Sequence, residues 1–546
     1  MRNHIQQDPS TEASFGIVKQ WINTCHRKHD VCHDRSVPSS FTELPKRLLS
    51  LGTQNQRTAK IIEVSDLNVR YTALSYCWGK RVFMKLTSHT INRLKSGVSI
   101  RALPKTFQQA ITITKQLDVA FIWIDALCIV QDSAQDWNTE SSKMGPVYAN
   151  AYLTLSAAAG PDAHHGFLKA RVDDTYAFTL RRVESDNHES IMVRVREATI
   201  QDQDSLRRLH ENFLAGGLYE LNNSENPTFT RGWCLQERLL AIRVLHFTHC
   251  EFIWECATVT SCECQGLEDY NLNLACERGV SKSHLLHKQQ LLQCRTLGCS
   301  LHDLGNMWYQ IVCGYSTREL AFDSDRLPAI SAVAQHLQCK EVGTYLAGLW
   351  QCSLPDALLW RSVGTADSGL TTHRRSQDSG CPSWSWASVI GPIDCGFWFA
   401  GNDKVLSKVL GACCTPAGPN LYGQVSSGVL DIEAPYVEAT LHCSSYEQSS
   451  LTTTQYKSFL SIPGHTDSST DSCNPDIIWE PDGVSYGIMC VLIQVFRKEG
   501  VDKYQALLLV DAVNVPGAWQ RVGTATVCLR KPETLQRLQQ RTFRLV

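Results

Sequence analysis

One stretch of the chain, Phe121-Ile-Trp-Ile-Asp-Ala-Leu-Cys-Ile-Val-Gln-Asp132, runs through β-branched and aromatic residues with no polar alternation. That pattern predicts a strand covered on both faces, as in a parallel sheet between helices. Asp125 sits in the middle of the run and needs a reason to be there, because an ionised carboxylate is costly to bury without partners. Ligands of open α/β sheets gather at the carboxyl ends of the strands, so Asp125 is expected at that rim. On either side the pattern alternates between strand and helix. Arg70 to Gly79 reads as a strand ending at Gly79. Leu103 to Leu117 reads as a helix opened by Pro104, with Phe107, Ile111, Thr114 and Leu117 at helical spacing. Asp132-Ser-Ala-Gln-Asp136 offers caps for a second helix, and Tyr152 to Ala158 closes the unit as a third strand. This βαβαβ series predicts an α/β fold with a Rossmann-like parallel sheet and flanking helices.

Ahead of that unit, Phe15 to Cys25 reads as a helix, and behind it Arg243 to His249 and Glu251 to Cys256 read as a strand pair. Asn222 to Pro227 marks a loop. Helices are expected from Trp308 and from Leu327, and a half-buried strand over Ser383-Trp-Ser-Trp-Ala-Ser388. After about residue 390, alternating segments broken by Gly, Pro and Asn predict an antiparallel β layer, so the C-terminal region reads as mixed α+β. The Ser, Thr and Asp content of 444–474 predicts a flexible insertion. The segments so drawn are 1–60, helical; 61–260, the α/β domain; 261–390, helical; and 391–546, β-rich.

Composition narrows the function classes. Lys plus Arg (52) and Asp plus Glu (54) nearly cancel, and neither sign forms a block, so no footprint for nucleic acid or an anionic membrane is present. The start lacks an apolar signal core, and no window approaches the length of a membrane span, which predicts a soluble cytoplasmic protein. The 23 cysteines, several inside apolar stretches, then read as small hydrophobes in a reducing compartment. Cys25-His-Arg-Lys-His29-Asp-Val-Cys32 stands out, because an i,i+4 Cys and His share one helix face and suit zinc. A second Cys pair is missing nearby, and Cys256, Cys262 or Cys264 could supply it only through tertiary contact. An ordinary helix end is the competing reading, and the sequence assigns no metal ligand set.

Two places carry candidate chemistry. Glu140 falls in line with Trp137, Met144, Val147 and Ala151, on the apolar stripe of the second helix. It either flanks the stripe and bends to water or is held in a cleft, suited to acid/base work or to stabilising a cation. Gly145-Pro146 predicts a kink or a restart just afterwards. Arg231, Gln236, Glu237 and Arg238 crowd polar groups near Trp233, either around a crevice or as a surface salt-bridge cluster. The common phosphate-loop, nucleophile-elbow, zincin and kinase signatures are absent.

Tyr71-Thr-Ala-Leu-Ser-Tyr-Cys-Trp-Gly79, Leu103-Pro-Lys-Thr, Trp123 to Asp132, Met144 to Tyr148 with Ala151, and Arg231-Gly-Trp-Cys-Leu-Gln-Glu237 together resemble the heterokaryon incompatibility (HET) domain of filamentous fungi. Cys77, Cys234 and the Gly145-Pro146 break depart from the family pattern. The resemblance implies a role in non-self recognition, in which fusion of unlike cells triggers a death reaction. HET is in turn similar to TIR domains, some of which cleave NAD. By that likeness the fold is TIR-like, Glu140 is the catalytic candidate, and Ser75, Trp78, Gly79, Asp125, Arg231, Gln236 and Glu237 are candidates to bind NAD, as substrate and not as a resident cofactor. The alternatives are a non-enzymatic module that self-assembles or recruits protein partners, and a biosynthetic enzyme on the same fold.

Overall fold

The computed structural model describes residues 5–32, 43–64, 69–171, 175–181, 190–196, 209–210, 225–267, 287–297, 299–363, 373–376, 380–395, 404–447, 454–462, 470–476, 485–498, 501–528 and 538–546. They fall in two compact units, Met1–Leu297 and Gly298–Val546. The expected loop at 222–227 lies partly outside the described residues.

The first unit opens with α1 (Glu12–Lys28), β1 (Arg47–Ser50), β2 (Thr58–Glu63), β3 (Tyr71–Ser75), α2 (Ile91–Ser96) and β4 (Val98–Ser99). It continues with α3 (Lys105–Gln116), β5 (Phe121–Trp123), α4 (Asp125–Cys128), α5 (Ala134–Ser142), α6 (Met144–Asn150) and β6 (Leu153–Ser156). A separate antiparallel hairpin, β7 (Thr175–Arg181) with β8 (Ser190–Arg196), precedes α7 (Gly232–Leu240), β9 (Arg243–Phe247), β10 (Phe252–Cys256) and β11 (Thr260–Cys262).

Among the described residues the sheet has nine strands in the order β11-β10-β9-β6-β3-β5-β1-β2-β4. Its centre is parallel, with β3 between β5 and β6 and β6 beside β9. Both flanks are antiparallel, through β1 against β5 and β10 against β9. Of the apolar run from Phe121 to Asp132 only Phe121–Trp123 is strand, in a parallel sheet buried on both faces. The rest leaves the sheet, Asp125–Cys128 as a helical turn, so the strand is much shorter than the run suggests. On one face Leu74, Ile122 and Leu155 pack against Phe107 and Ile111 of α3 and the α1 residues Phe15, Val18 and Ile22. On the other, Tyr71, Ala73 and Trp123 pack against Met144, Val147 and Tyr148 of α6. Adjacent strand residues serve opposite faces because successive side chains alternate.

Local signals explain the joints. Ser133 caps α5, its hydroxyl accepting from the Asp136 amide at 3.2 Å. The helix stops at Ser142 and restarts as α6, where Pro146 is the third residue, a position whose N–H has no intrahelical acceptor to lose. The first parallel strand is shorter than its sequence suggests, ending at Ser75, and Tyr76 to Gly79 leave the sheet. Gly79 makes that exit possible: its φ is +73° and an added Cβ would lie 2.2 Å from Asp162 Cβ.

In the second unit, Leu301–Ser316 is a helix with a capping box from Ser300 and Asp303. The helix expected from Leu327 begins with a 3-10 turn at Pro328–Ile330 and becomes α-helical over Ser331–Leu337. Ser383 to Ser388 is a buried turn ending in a 3-10 segment and not a strand. The Trp308 and Trp386 indoles both donate to Gly348 O, each at 2.9 Å, and satisfying them there overrides the alternation of the segment. The antiparallel layer forms as expected, with Val425–Glu447 pairing with Lys408–Pro416, Ser485–Lys498 and Gln540–Leu545. Inside the stretch read as a flexible insertion, Thr454–Ser461 and Thr470–Pro475 are strands, since pairing with neighbours supplies what composition lacks. Residues 448–453 and 463–469 lie outside the described residues. Arg521 fixes this unit from within: its guanidinium lies 3.3 Å from the Trp360 ring centroid and bonds Asp476 at 2.9 Å and Leu358 O at 2.7 Å.

α7 is held to the sheet by charge. Arg238 Nε and Nη2 bond the Glu255 carboxylate at 2.9 and 3.1 Å, and His246 Nε2 lies 3.2 Å from the same group, all buried. Removing one partner of such a pair leaves a buried charge unmet. Arg238→Leu is therefore expected to lower unfolding free energy by about 3–5 kcal/mol in denaturant titrations.

Candidate functional site

The carboxyl ends of β3 and β5 meet at one place. Asp125 follows β5 and opens α4, half-buried, with Oδ1 accepting from the Ala126 amide at 2.6 Å. From the segment after β3, the Trp78 indole N–H donates to Asp125 Oδ2 at 2.7 Å. Lys85 Nζ lies 4.3 Å from the Trp78 ring centroid, so one cation faces the indole that holds the carboxylate. Burial raises the Asp125 carboxyl above its ordinary value, opposed by Trp78, the Ala126 amide, Tyr76 and Lys85.

A second carboxylate arrives from α7. Glu237 is buried, and Oε2 has no hydrogen-bond partner among the described residues. Burial pushes its carboxyl up to about 7; Ser75, Tyr148 and Cys234 draw it down, and the Asp125 charge adds to the rise. Two buried phenols complete the group. Tyr148 OH donates to Leu74 O at 3.0 Å, and Tyr76 sits beside Asp125; both phenols are raised well above their ordinary value, first by burial and then by these carboxylates. Such a group can take up or release a proton near neutral pH on Glu237, with a second carboxyl, Asp125, near enough for its charge to be felt.

The structure therefore brings together Ser75, Trp78, Asp125 and Glu237 of the residues picked from sequence, with Gly79 as the turn that lets Trp78 fold back. Arg231 stands at the N-cap of α7, and its charge reaches Cys234; Gln236 is buried next to Glu237 on that helix. Sequence reasoning passed over Tyr76 and Tyr148, although Tyr76 directly follows Ser75 and Tyr148 stands in the Met144 to Tyr148 block. Nothing local marks a phenol that matters for what it faces.

Glu140 is placed differently. It is buried, with Oε2 accepting from the Lys46 amide at 3.1 Å and Oε1 from Lys143 Nζ at 3.3 Å. One helical turn earlier, Asp136 accepts from Arg47 Nη1 at 3.0 Å and from Lys46 Nζ at 3.3 Å. The two acids, four residues apart on one face of α5, grip the start of β1. No hydrogen bond among the described residues joins Glu140 to Asp125 or Glu237.

Among the described residues two groups of potential metal-ligating side chains lie elsewhere in the unit, their ligand atoms all within 4.8 Å of one another in each: Cys25, His29, Cys32 and Cys256, and His210, Glu251, Cys262 and Cys264. In the second, His210 Nε2 and Glu251 Oε1 bond each other directly, so their charges are met within the pair.

Residues 71–237, less than a third of the chain, match the family described as Heterokaryon incompatibility protein (HET). The match runs from the first residue of β3 to Glu237 itself, and so spans every side chain of the rim group. No curated protein and no solved structure matches the chain.

The raised Glu237 carboxyl has a measurable consequence. An unfolded glutamate loses its proton near 4.5, whereas the folded one keeps it to about 7, so wild-type stability falls as pH rises through that window and is level above it. Glu237→Gln removes the penalty. Its stability relative to wild type is expected to rise by on the order of 2–3 kcal/mol between about pH 5 and pH 8 in paired denaturant titrations.

Proposed function

We propose that the protein, whose residues 71–237 match the HET family, acts in heterokaryon incompatibility as an effector of non-self recognition, cleaving NAD at the rim that carries Asp125 and Glu237. The observation that carries this reading is a desolvated carboxylate at the carboxyl end of β5, Asp125, whose charge is felt by a second buried acid from α7, Glu237, raised to about 7. Loss of NAD would account for a death reaction on fusion of unlike cells.

The chemistry asks little more of the protein. As the bond from C1′ of the ribose to the nicotinamide nitrogen breaks, its electron pair leaves with nicotinamide and positive charge develops on the sugar. Asp125 in its carboxylate form, held in place by Trp78, stabilises that charge. Water forms the new bond to C1′, and its proton passes to Glu237, whose raised carboxyl suits a base working near neutral pH. Glu140 remains the candidate by likeness to the TIR helix. Geometry favours Glu237, because both Glu140 oxygens already serve Lys46 and Lys143. No helix among the described residues is long and apolar enough to cross a membrane, and the reading needs none.

Purified protein incubated with NAD is expected to release nicotinamide. Glu237→Gln and Asp125→Asn should each lower turnover by about 10²-fold or more, the size of a lost acid/base or charge-stabilising group, with Glu140→Gln retaining most of it. Loss confined to Glu140→Gln would return the catalytic role to α5. NAD left intact by the wild type at every concentration would sink the enzymatic reading and leave a module that works by assembly.

A further inference from the structure

The sequence element Cys25-x3-His29-x2-Cys32 finds its fourth member more than two hundred residues away. Cys25 lies in the last turn of α1, His29 is the C-cap of that helix, and Cys32 ends the 3-10 turn that follows. Cys256 is the last residue of β10. The three thiols are buried, and Cys256 Sγ lies 3.4 Å from His29 Nδ1. In a tetrahedral zinc site with bonds of about 2.0–2.3 Å, ligand atoms stand roughly 3.5 Å apart, so the four groups are already near coordinating geometry.

Hydrogen-bond donors are aimed at two of these sulfurs. Arg243 Nε donates to Cys25 Sγ at 3.2 Å. The Thr258 and Val259 amides both point at Cys256 Sγ, at 3.4 and 3.3 Å. Donors aimed at sulfur are what a thiolate ligand takes from its surroundings. Three thiolates crowded together repel one another unless a cation lies among them. A divalent ion there leaves one net negative charge, which Arg243, cross-strand partner of Cys256, balances. Arg243 also fixes the turn by bonding Cys32 O at 3.0 Å.

We propose that Cys25, His29, Cys32 and Cys256 bind one zinc ion as a closed structural site that fastens α1 to the sheet. Four protein ligands leave no open position for substrate, so the role is stability and not catalysis. The ion completes a contact that packing begins, since Phe15 and Trp21 of α1 lie against Phe252 and Trp254 of β10, with ring centroids 6.2 and 6.4 Å apart. Ligands drawn from both ends of a long loop make metal binding part of the folding free energy.

Full-length protein, loaded with zinc and passed over a desalting column, should hold one zinc more per chain than Cys256→Ser or His29→Ala treated the same way. Equal zinc content in wild type and both variants, or a wild type that retains none, overturns the site. Wild-type protein alone gives a second measurement that does not depend on a variant folding: alkylation of Cys25, Cys32 and Cys256, mapped by peptide mass spectrometry, should rise sharply after chelation and fall again on zinc return. Labelling at these three positions that ignores zinc overturns it equally.

Discussion

The bond from the Trp78 indole to Asp125 ties the exits of two adjacent parallel strands to each other, and the arrangement of the rim follows from it. A half-buried carboxylate must be met by a donor, and the donor here comes from the segment that leaves β3 at Ser75 and turns back at Gly79. Around this bond Tyr76, Tyr148 and the second acid, Glu237, are all buried, and the two phenols feel the charge of both carboxylates. The strands supply position, and desolvation raises the carboxyl pKa values that make the place chemically distinct.

Elsewhere buried charge is used to dock elements. Asp136 and Glu140 hold α5 to the beginning of β1 through Lys46 and Arg47. Arg238 and Glu255 hold α7 to β10, with Lys288 donating to Arg238 O at 3.0 Å. This second cluster matters to the rim because Glu237 is the chain neighbour of Arg238. A helix anchored through one residue by a bidentate ion pair presents the next residue in a fixed direction. Structural acids that are fully partnered, such as Glu255, are held charged, whereas Glu237, with an oxygen unpartnered among the described residues, is held near its midpoint. That contrast distinguishes the two acids although both are buried.

Much of this was legible along the chain. The uninterrupted apolar run at 121–132, the spacing of Phe107, Ile111 and Thr114, and the caps near Ser133 determined three parallel strands with helices on both faces, because periodicity and capping are properties of neighbours in sequence. Asp125 betrayed the rim for the same reason, as a charge in a segment with no other place for one. The break at Gly145-Pro146 was equally local. What misled was alternation without context: Ser383 to Ser388 has the spacing of a strand but turns to bring Trp386 to Gly348, and the polar segments at 454–461 and 470–475 become strands on existing edges.

Sequence by itself determined the fold class, the family resemblance and the list of side chains worth watching. Tertiary structure alone decided which of them come together: that the Asp125 charge is felt by Glu237 while Glu140 is taken up by Lys46 and Lys143, and that Cys256 closes on Cys25, His29 and Cys32. The physical reason is the same in both cases. A residue's environment is set by atoms within a few ångströms of it, and in a nine-stranded sheet most of those belong to segments that are distant along the chain.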